Sequence, residues 1–260
     1  MIEETLSQKK NTLFVFLSGF FLTTALVAEM VGPKIFSLES ALGLSPANLS
    51  IFGFTLDFNL TSGVLIWPFV FVTTDIINEY FGKEGVRKIS LLTAGLIVFA
   101  FLIIAAATVL PPAPFWADMY QKQGLNINEA FSTIFRQSLG IILGSLVAFI
   151  IGQFLDVYVF QRLRSLTGPK MLWLRATGST LFSQLIDSFV VLFIAFYIFG
   201  KWSMPQVISV GIINYIFKFV AAFAMTPVVY LGHYLIDEYL GKKEAEKISE
   251  EAAKNSKGFF

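Results

Sequence analysis

Residues Trp67–Lys88 read WPFVFVTTDIINEYFGKEGVRK, an apolar run that carries three polar side chains and then ends in a basic cluster. Asp75, Asn78 and Glu79 are spaced i, i+3 and i+4, so they share one face of a helix. A carboxylate at bilayer depth is costly unless it is paired, protonated or turned toward a water-filled cavity, and such residues mark function. The basic cluster predicts that this end of the helix lies in the cytoplasm.

The composition is that of an integral membrane protein. Of the 260 residues, 55% are hydrophobic and 14% are charged, whereas a soluble domain carries about 25% charged residues. Several apolar runs reach the roughly 20 residues that a membrane-spanning helix needs. The chain has no cysteine and one histidine, so disulfides and thiolate metal sites are excluded. We expect no metal, cofactor or nucleic-acid partner.

The apolar pattern predicts an all-α polytopic membrane protein, a bundle of six transmembrane helices. The predicted spans are residues 12–32, 62–82, 89–110, 137–160, 177–200 and 205–236. Most of the nineteen Lys and Arg residues fall on one side of such a bundle. They are Lys9, Lys10, Lys83, Arg87, Lys88, Arg162, Arg164, Lys170, Arg175, Lys242, Lys243, Lys247, Lys254 and Lys257. Because basic residues favour the cytoplasmic side, both termini are predicted to be cytoplasmic.

The chain divides into a transmembrane domain, residues 1–241, and a charged cytoplasmic tail, residues 242–260. The first apolar run is too long for a signal peptide and lacks an A-x-A site, so it is expected to remain as a span. Residues 33–61 predict a short interfacial helix or a re-entrant cap. Residues 111–136 predict an interfacial helix anchored by Trp116, with an extracellular lid as the alternative. The tail is expected to be a charged helix that frays into disorder.

Further polar side chains occupy spans 4, 5 and 6. They are Gln153, Asp156, Gln184, Asp187, Asn214 and Lys218. Each span carries two of them, three or four residues apart and therefore on one helix face. Together with the polar face of span 2, these faces are expected to meet inside the bundle. Asp75, Asp187 and Lys218 lie deepest, and a buried structural ion pair is the alternative role for them.

Two carboxylates nearer the cytoplasm also have alternatives to a functional role. Glu79 has Lys83 as its i+4 neighbour, and an ion pair at the interface would satisfy it. Asp156 could extend toward the interface instead of facing a site. The sequence leaves both alternatives open.

The deep polar set holds more carboxylates than cations, which suits a ligand rich in N–H donors. The two oxygens of a carboxylate match two adjacent N–H groups, such as the N1–H and 2-amino edge of a guanine-like base. Amides read mixed donor and acceptor edges, and an aromatic side chain could supply a stacking face. The candidates for that face are Phe182, Tyr80, Tyr215 and Trp67. The same carboxylates could take up a coupling proton, and the sequence does not divide the two roles.

Several of these segments resemble the queuosine precursor transporter family. The resemblance covers about residues 65–235 and rests on TTDIINEYFGKEGVRK, EAFSTIFRQSLG, GQFLDVYVFQRLRSLTGPKMLWLR and GSTLFSQLID, which occur in matching order. The family's T-D-x-x-N-E motif matches Thr74, Asp75, Asn78 and Glu79. Its two Q-x-x-D motifs match Gln153/Asp156 and Gln184/Asp187. Where the family carries Arg-Asn-Asn, this chain has Arg175-Ala176-Thr177.

The resemblance implies a six-span carrier of the bacterial inner membrane that imports the 7-deazaguanine bases preQ0 and preQ1. Combined with the polar faces, it gives a candidate substrate-binding set of Asp75, Asn78, Glu79, Gln153, Asp156, Gln184, Asp187, Asn214 and Lys218. No catalytic residue is expected. The lipid bilayer is the expected surroundings, and a homodimer is left open because Phe-rich lipid faces and oligomer faces look alike in a sequence.

Other classes of protein fit the pattern less well. A substrate-binding subunit of an ATP-driven uptake system also has about six spans, but the Ala-x-x-x-Ala docking pattern expected in its first span is missing from LFVFLSGFFLTTALVAE. An intramembrane hydrolase could use paired carboxylates or a serine with His233, yet no serine motif is in register with it. A purely structural membrane protein would leave the polar positions without a role. The sequence therefore favours a self-sufficient carrier.

Overall fold

The computed structural model describes residues 2–136, 139–168 and 171–255. Over these residues the chain consists mainly of long helices, so the predicted all-α membrane class is confirmed. Of the basic residues used above to orient the chain, Lys170 and Lys257 lie outside the described residues. The first two residues of the predicted span 137–160 also lie outside them.

The order of elements places two groups of short strands and helices between the long helices. The helices are α1 (Ile2–Val31), α2 (Leu38–Ala41), α3 (Trp67–Val109), α4 (Pro114–Gln121), α5 (Ile127–Phe135), α6 (Leu139–Thr167), α7 (Leu172–Leu192), α8 (Met204–Leu240) and α9 (Lys242–Asn255). The strands are β1 (Ile35–Ser37), β2 (Leu49–Ile51), β3 (Phe54–Leu56) and β4 (Asn59–Thr61). A 3-10 turn, Ser62–Leu65, precedes α3, and a π-helical turn, Phe193–Ile198, continues α7.

Five helical segments of the described chain are long and apolar enough to cross a bilayer. They are Leu6–Val31, Trp67–Val109, Ile127–Thr167, Leu172–Ile198 and Met204–Leu240. The count differs from six because the predicted spans 62–82 and 89–110 both fall within α3. The six-span count and the side on which the termini lie stay predictions.

Helix α3 is interrupted at Gly82. This residue adopts φ 66° and ψ −173°, a positive-φ conformation that glycine reaches without the penalty of a Cβ. An unbroken helix of 43 residues would be about 65 Å long, roughly twice the thickness of the hydrocarbon core. The glycine therefore divides α3 into two helical segments.

Small residues allow the helices to approach closely. A Cβ atom added to Gly140 of α6 would lie 2.6 Å from the Cβ of Phe199, and one added to Gly144 would lie 3.0 Å from the carbonyl oxygen of Val191. At Gly211 of α8 the nearest atom would be in the ring of Phe189, at 2.5 Å. Close backbone contact at small residues is the usual way in which helices associate in membranes.

The outer connection at residues 33–61 differs from its prediction. Strand β1 pairs with β4 and β2 pairs with β3, both antiparallel, and only the four residues of α2 are helical. The backbone N–H of Phe58 donates to Glu39 Oε1 at 2.7 Å, which holds the pKa of this carboxyl below its ordinary value. The hairpin tip reaches α8, where Ser209 donates to the carbonyl of Ile51 at 3.2 Å. The predicted interfacial helix is therefore wrong for most of this segment.

Residues 111–136 form two short helices, α4 and α5, which contact each other. The helical part of the prediction is confirmed. The ring of Trp116 meets Tyr120 edge-on with centroids 6.4 Å apart. Neither the interfacial position nor the alternative lid is tested, and both stay predictions.

The predicted helix of the tail is confirmed, and the predicted fraying beyond it falls on residues 256–260, outside the described residues. Helix α9 runs from Lys242 to Asn255 and packs against α3 and α8. Ala245, Ile248 and Ala252 are its buried residues, and their spacing makes an apolar stripe on an otherwise charged helix. Because this stripe is covered by α3 and α8, the helix is part of the folded bundle.

Candidate functional site

A cavity lies between α3, α7 and α8. Its polar lining consists of Asp75, Thr177, Thr180, Gln184 and Lys218, and its apolar lining includes Trp67, Phe71, Phe217 and Met225. The space between the atoms is about 470 Å³ with the open mouth included. Ala176 and Thr177 both line it.

Asp75 is the buried carboxylate of this cavity. Its side chain is on the third turn of α3, and the residue is only 2% exposed. Its Oδ1 atom accepts no hydrogen bond from the described residues. An ionised oxygen that is kept from water without a donor is costly, so this atom needs a donor that the described residues do not supply.

Asp156 of α6 lies behind the cavity wall and is fully buried. Ser183 of α7 donates to its Oδ1 at 3.2 Å, while its Oδ2 has no partner among the described residues. The hydroxyl of Ser179, also on α7, donates to the carbonyl of Ala176 at 3.1 Å and lies near both Asp75 and Asp156. The two carboxylates therefore lie close together at the junction of α3, α6 and α7.

The outer part of the cavity carries an ion pair. Lys218 of α8 donates to Asp187 Oδ2 of α7 at 2.5 Å, and their side chains are 15% and 22% exposed. Glu29 of α1 is 7% exposed and lies close enough to Asp187 for the two charges to repel. Ser145 of α6 donates to Glu29 Oε2 at 3.1 Å. This outer group contains two carboxylates and one ammonium.

The side of the cavity toward α9, which is the predicted cytoplasmic side, carries a second group of charges, centred on Glu79. Arg175 of α7 donates to both Glu79 oxygens, at 3.1 and 2.9 Å. Arg164 of α6 lies 3.2 Å from Glu79 Oε1, and Ser249 of α9 donates to the same oxygen at 2.8 Å. The group thus joins four helices, and the expected partner Lys83 is replaced by two arginines.

Three predicted amides take different places. Gln161 of α6 donates to Asn78 Oδ1 at 2.6 Å, so Asn78 faces α6. Gln153 accepts from Thr74 at 3.1 Å and is 1% exposed. Asn214 is partly buried on α8 and is not among the residues that line the cavity.

Of the nine predicted site residues, the structure brings three to the cavity, namely Asp75, Gln184 and Lys218. Asp187 joins them through its ion pair with Lys218. The other five do not line the cavity; they are Asn78, Glu79, Gln153 and Asp156, which are buried, and Asn214, which is partly buried. The side-chain amide nitrogen of Gln184 is buried and lacks a partner within the described chain.

Sequence reasoning missed several residues of the site. Glu29 was available as a carboxylate inside the predicted span 12–32, and this was a usable signal. Arg164 and Arg175 were read only as markers of orientation. Thr177 and Ser249 had no signal, because a hydroxyl in a helix is more often bonded to its own backbone.

A cluster of Tyr80, His233 and Asp237 joins α3 to α8. Tyr80 donates to Asp237 Oδ1 at 2.7 Å, and its hydroxyl lies 3.0 Å from His233 Nδ1. A nucleophilic hydrolase needs a serine or a similar group against the histidine, and here tyrosine takes that position. Among the described residues no three acidic, histidine or cysteine side chains are arranged to hold a metal ion.

Comparisons with known proteins identify related membrane transporters. Residues 61–232 match the family described as "Putative vitamin uptake transporter". A "Probable queuosine precursor transporter" of Bacillus subtilis (strain 168) is 31% identical over 193 residues, which cover 73% of this chain and 80% of that protein. Its counterpart of the same name in Haemophilus influenzae is 35% identical over 164 residues, 62% of this chain and 63% of that protein.

The "Queuosine precursor transporter" of Escherichia coli (strain K12) is 30% identical over 170 residues, which cover 63% of this chain and 67% of that protein. No solved structure matches the chain. The family match, residues 61–232, takes in more than half of the chain and every residue that lines the cavity. The chain therefore belongs to the queuosine precursor transporter family, and it is a membrane transporter rather than an enzyme.

Proposed function

We propose that this protein is a self-sufficient carrier that imports the 7-deazaguanine bases preQ0 and preQ1 across the bacterial inner membrane. The observation that carries the proposal is the buried Asp75 carboxylate, which lines the cavity and has an oxygen without a donor in the described chain. A ligand with two adjacent N–H groups would satisfy that carboxylate. The printed names of the relatives support the same class of substrate.

The base would be recognised along its guanine-like edge. Asp75 would accept from the N1–H and the 2-amino group, while the unpaired amide nitrogen of Gln184 would donate to the 6-oxo group. Trp67 and Phe217 on the apolar walls offer faces for stacking. Because an unmatched buried donor or acceptor is penalised, a base without this edge would bind less well.

The charges around the cavity favour a cationic substituent. Lys218 is held by Asp187, and Glu29 adds a second carboxylate beside that pair. The outer group is therefore net acidic when both carboxylates are ionised. The aminomethyl group of preQ1 is an ammonium ion, and its charge would be attracted to this region.

The other residues of the predicted set would support the cavity from behind. Asn78, Gln153 and Asp156 hold α3, α6 and α7 together through their hydrogen bonds. Glu79 anchors the cytoplasmic group of charges. Substitution of these residues would therefore alter the shape of the site rather than remove a contact with the base.

The carrier would cross the membrane six times, with both termini in the cytoplasm. The break at Gly82 supports this proposal, since it divides a helix that is too long for one crossing. The basic cluster that follows Gly82, Lys83, Arg87 and Lys88, would then lie in the cytoplasm. Helix α9 would lie on the same side.

Binding of preQ0, preQ1 and guanine to the purified protein tests the substrate. We expect the deazaguanines to raise the melting temperature of the wild type and the Asp75→Asn variant to lose this effect. Loss of two hydrogen bonds to a buried carboxylate costs about 2–4 kcal/mol, roughly a 30- to 1,000-fold rise in Kd. The matched control is Asp118→Asn in α4, which removes an exposed carboxylate. Equal binding by both variants would refute the proposed site.

A further inference from the structure

Asp75 and Asp156 are two neighbouring buried carboxylates that accept unusually few hydrogen bonds. Asp75 is 2% exposed and Asp156 is fully buried. The hydroxyl of Ser179 lies near both but donates to the carbonyl of Ala176, and Oδ1 of Asp75 and Oδ2 of Asp156 each lack a partner among the described residues. Nearly all buried polar atoms in proteins have a hydrogen-bond partner, so two such oxygens in one place require an explanation.

The charges that face this pair do not balance. Toward the cytoplasm lie Glu79, Arg164 and Arg175, which form one carboxylate and two guanidinium groups joined to each other. Adding Asp75 and Asp156 as ions gives three negative charges against two positive charges. One negative charge is then left without compensation in a region that is closed to water, which is costly.

The other charged groups near the cavity do not supply the missing charge. On the outer side, Lys218 of α8 is bound to Asp187, and Glu29 of α1 lies beside them. On the side of α8 nearest the cytoplasm, Tyr80 and His233 meet Asp237. Both groups contain their own carboxylates, so neither has an uncompensated positive charge that could balance the Asp75–Asp156 pair.

We propose that Asp75 and Asp156 together hold one exchangeable proton, and that this proton is the coupling ion of transport. The inference rests on the proposed function, because it assigns an energy source to import through the same cavity. Two carboxylates that lie close together out of water cannot both ionise without a large penalty, and they share a single proton instead. The proton also supplies the donor that the two unpartnered oxygens lack.

The position of the pair links the proton to the base. Asp75 lines the cavity and Asp156 does not. When a base donates two N–H groups to Asp75, that carboxyl has to be ionised, so the O–H bond passes from Asp75 to Asp156. A bound base thus requires a proton on Asp156. Once the base has left, water that reaches the opened site allows both carboxylates to ionise, so the proton leaves as well and the empty carrier returns without it. The result is symport of one proton with one base.

Transport in proteoliposomes tests the coupling. The substrate is labelled preQ0, which is neutral, in sodium-free buffer with the membrane potential clamped. One proton per base predicts an accumulation of about tenfold for an inward gradient of one pH unit. We expect Asp156→Asn, which imitates the protonated side chain, to exchange labelled for unlabelled preQ0 but to stop at an accumulation ratio of one. Asp118→Asn is the matched control and is expected to accumulate preQ0 as the wild type does.

Accumulation by Asp156→Asn at the wild-type level would overturn the inference. Wild-type accumulation that follows a sodium gradient and ignores the pH gradient would also overturn it, since a metal ion would then fill the site. Both results require that preQ0 is transported. A failure of preQ0 to bind or to enter would instead count against the proposed function.

An infrared measurement tests the shared proton without any substrate. We expect the purified wild type at neutral pH to show the C=O stretching band of a protonated carboxyl group. The difference spectrum of wild type minus Asp156→Asn should contain this band, because Asp75 then faces balanced charges and ionises, and the difference spectrum of wild type minus Asp118→Asn should not. An unchanged spectrum of Asp156→Asn would refute the shared proton whatever the substrate is.

Discussion

The two ends of the cavity are held by ion pairs of different construction. At the outer end Lys218 pairs with Asp187, joins only α7 and α8, and leaves both side chains 15–22% exposed. At the cytoplasmic end Glu79 is bound by Arg164 and Arg175, whose side chains are 7% and 3% exposed. The cytoplasmic group also includes α9, so it joins four helices.

The difference indicates which end opens more easily. A partly exposed ion pair contributes less to stability, because water competes for both charges. Breaking a buried, hydrogen-bonded ion pair leaves a charge without compensation. A carrier has to open its two ends in turn. We therefore expect the conformation described here to open outward at lower cost than it opens to the cytoplasm.

The largest effect is expected from Arg175→Ala. The substitution removes both hydrogen bonds from the guanidinium to the Glu79 carboxylate. Loss of a partner in a buried ion pair costs about 3–5 kcal/mol. Because Glu79 keeps its contacts with Arg164 and Ser249, we expect the loss of stability to lie at the lower end of this range. The melting temperature of the purified protein should fall clearly, and transport should be lost.

Arg175→Lys sharpens this prediction. Lysine keeps the charge but cannot make the two parallel hydrogen bonds of the guanidinium group. We expect a melting temperature between those of the wild type and Arg175→Ala. If Arg175→Ala melts at the wild-type temperature, the cytoplasmic group does not stabilise this conformation, and the contrast between the two ends is wrong.

A smaller effect on stability is expected from Lys218→Met at the outer end. Its pair with Asp187 is partly exposed, so the loss should cost about 1–2 kcal/mol. Uptake of preQ1 should change more than stability, because Lys218 lines the cavity. Melting curves and uptake assays on one preparation separate the two effects. A destabilisation equal to that of Arg175→Ala would remove the proposed difference between the ends.

The smallest effect is expected from Ser249→Ala in α9. The serine hydroxyl donates to Glu79 Oε1 at 2.8 Å and accepts from Arg164 at 2.6 Å, while the backbone carbonyl of Ser249, which the substitution retains, also accepts from Arg164, at 2.7 Å. Loss of the hydroxyl should cost about 1 kcal/mol. The control is Ser7→Ala, which removes an exposed hydroxyl from α1. A shift in melting temperature for Ser249→Ala alone would show that α9 takes part in closing the cytoplasmic end.

The polar motif on α3 shows that helical spacing predicts which residues share a face but not which partners they meet. Spacing alone predicted that Asp75, Asn78 and Glu79 share a face, and all three are buried inside the bundle. Their partners differ, however, because a helix face is wide enough to meet several neighbours. Asp75 faces the cavity, Asn78 meets Gln161, and Glu79 meets the arginines.

The partner of Glu79 could not be found by local reasoning. Lys83 is its i+4 neighbour, and that spacing usually supports an ion pair. The actual partners Arg164 and Arg175 are 85 and 96 residues away along the chain. Their approach depends on how α6 and α7 pack against α3, which no periodicity records.

The helix predicted for the outer connection was wrong for a related reason. Residues 33–61 contain alternating but short apolar runs, and strands of three residues are too short to give a clear period of two. Their pairing is stabilised by contacts such as that of Glu39 with the N–H of Phe58. These contacts are non-local, so the two antiparallel strand pairs could not be predicted from the sequence, and the alternative of a re-entrant cap stays a prediction.

The sequence by itself determined the class of the protein, the approximate helices and the helix faces that carry polar side chains. Hydrophobicity and spacing are properties of neighbouring residues, and they survive any arrangement of the helices. Only the tertiary structure decided that Asp75 meets Asp156, that Lys218 meets Asp187, and that two arginines surround Glu79. Those contacts join distant parts of the chain, and close packing of whole helices sets which of them form.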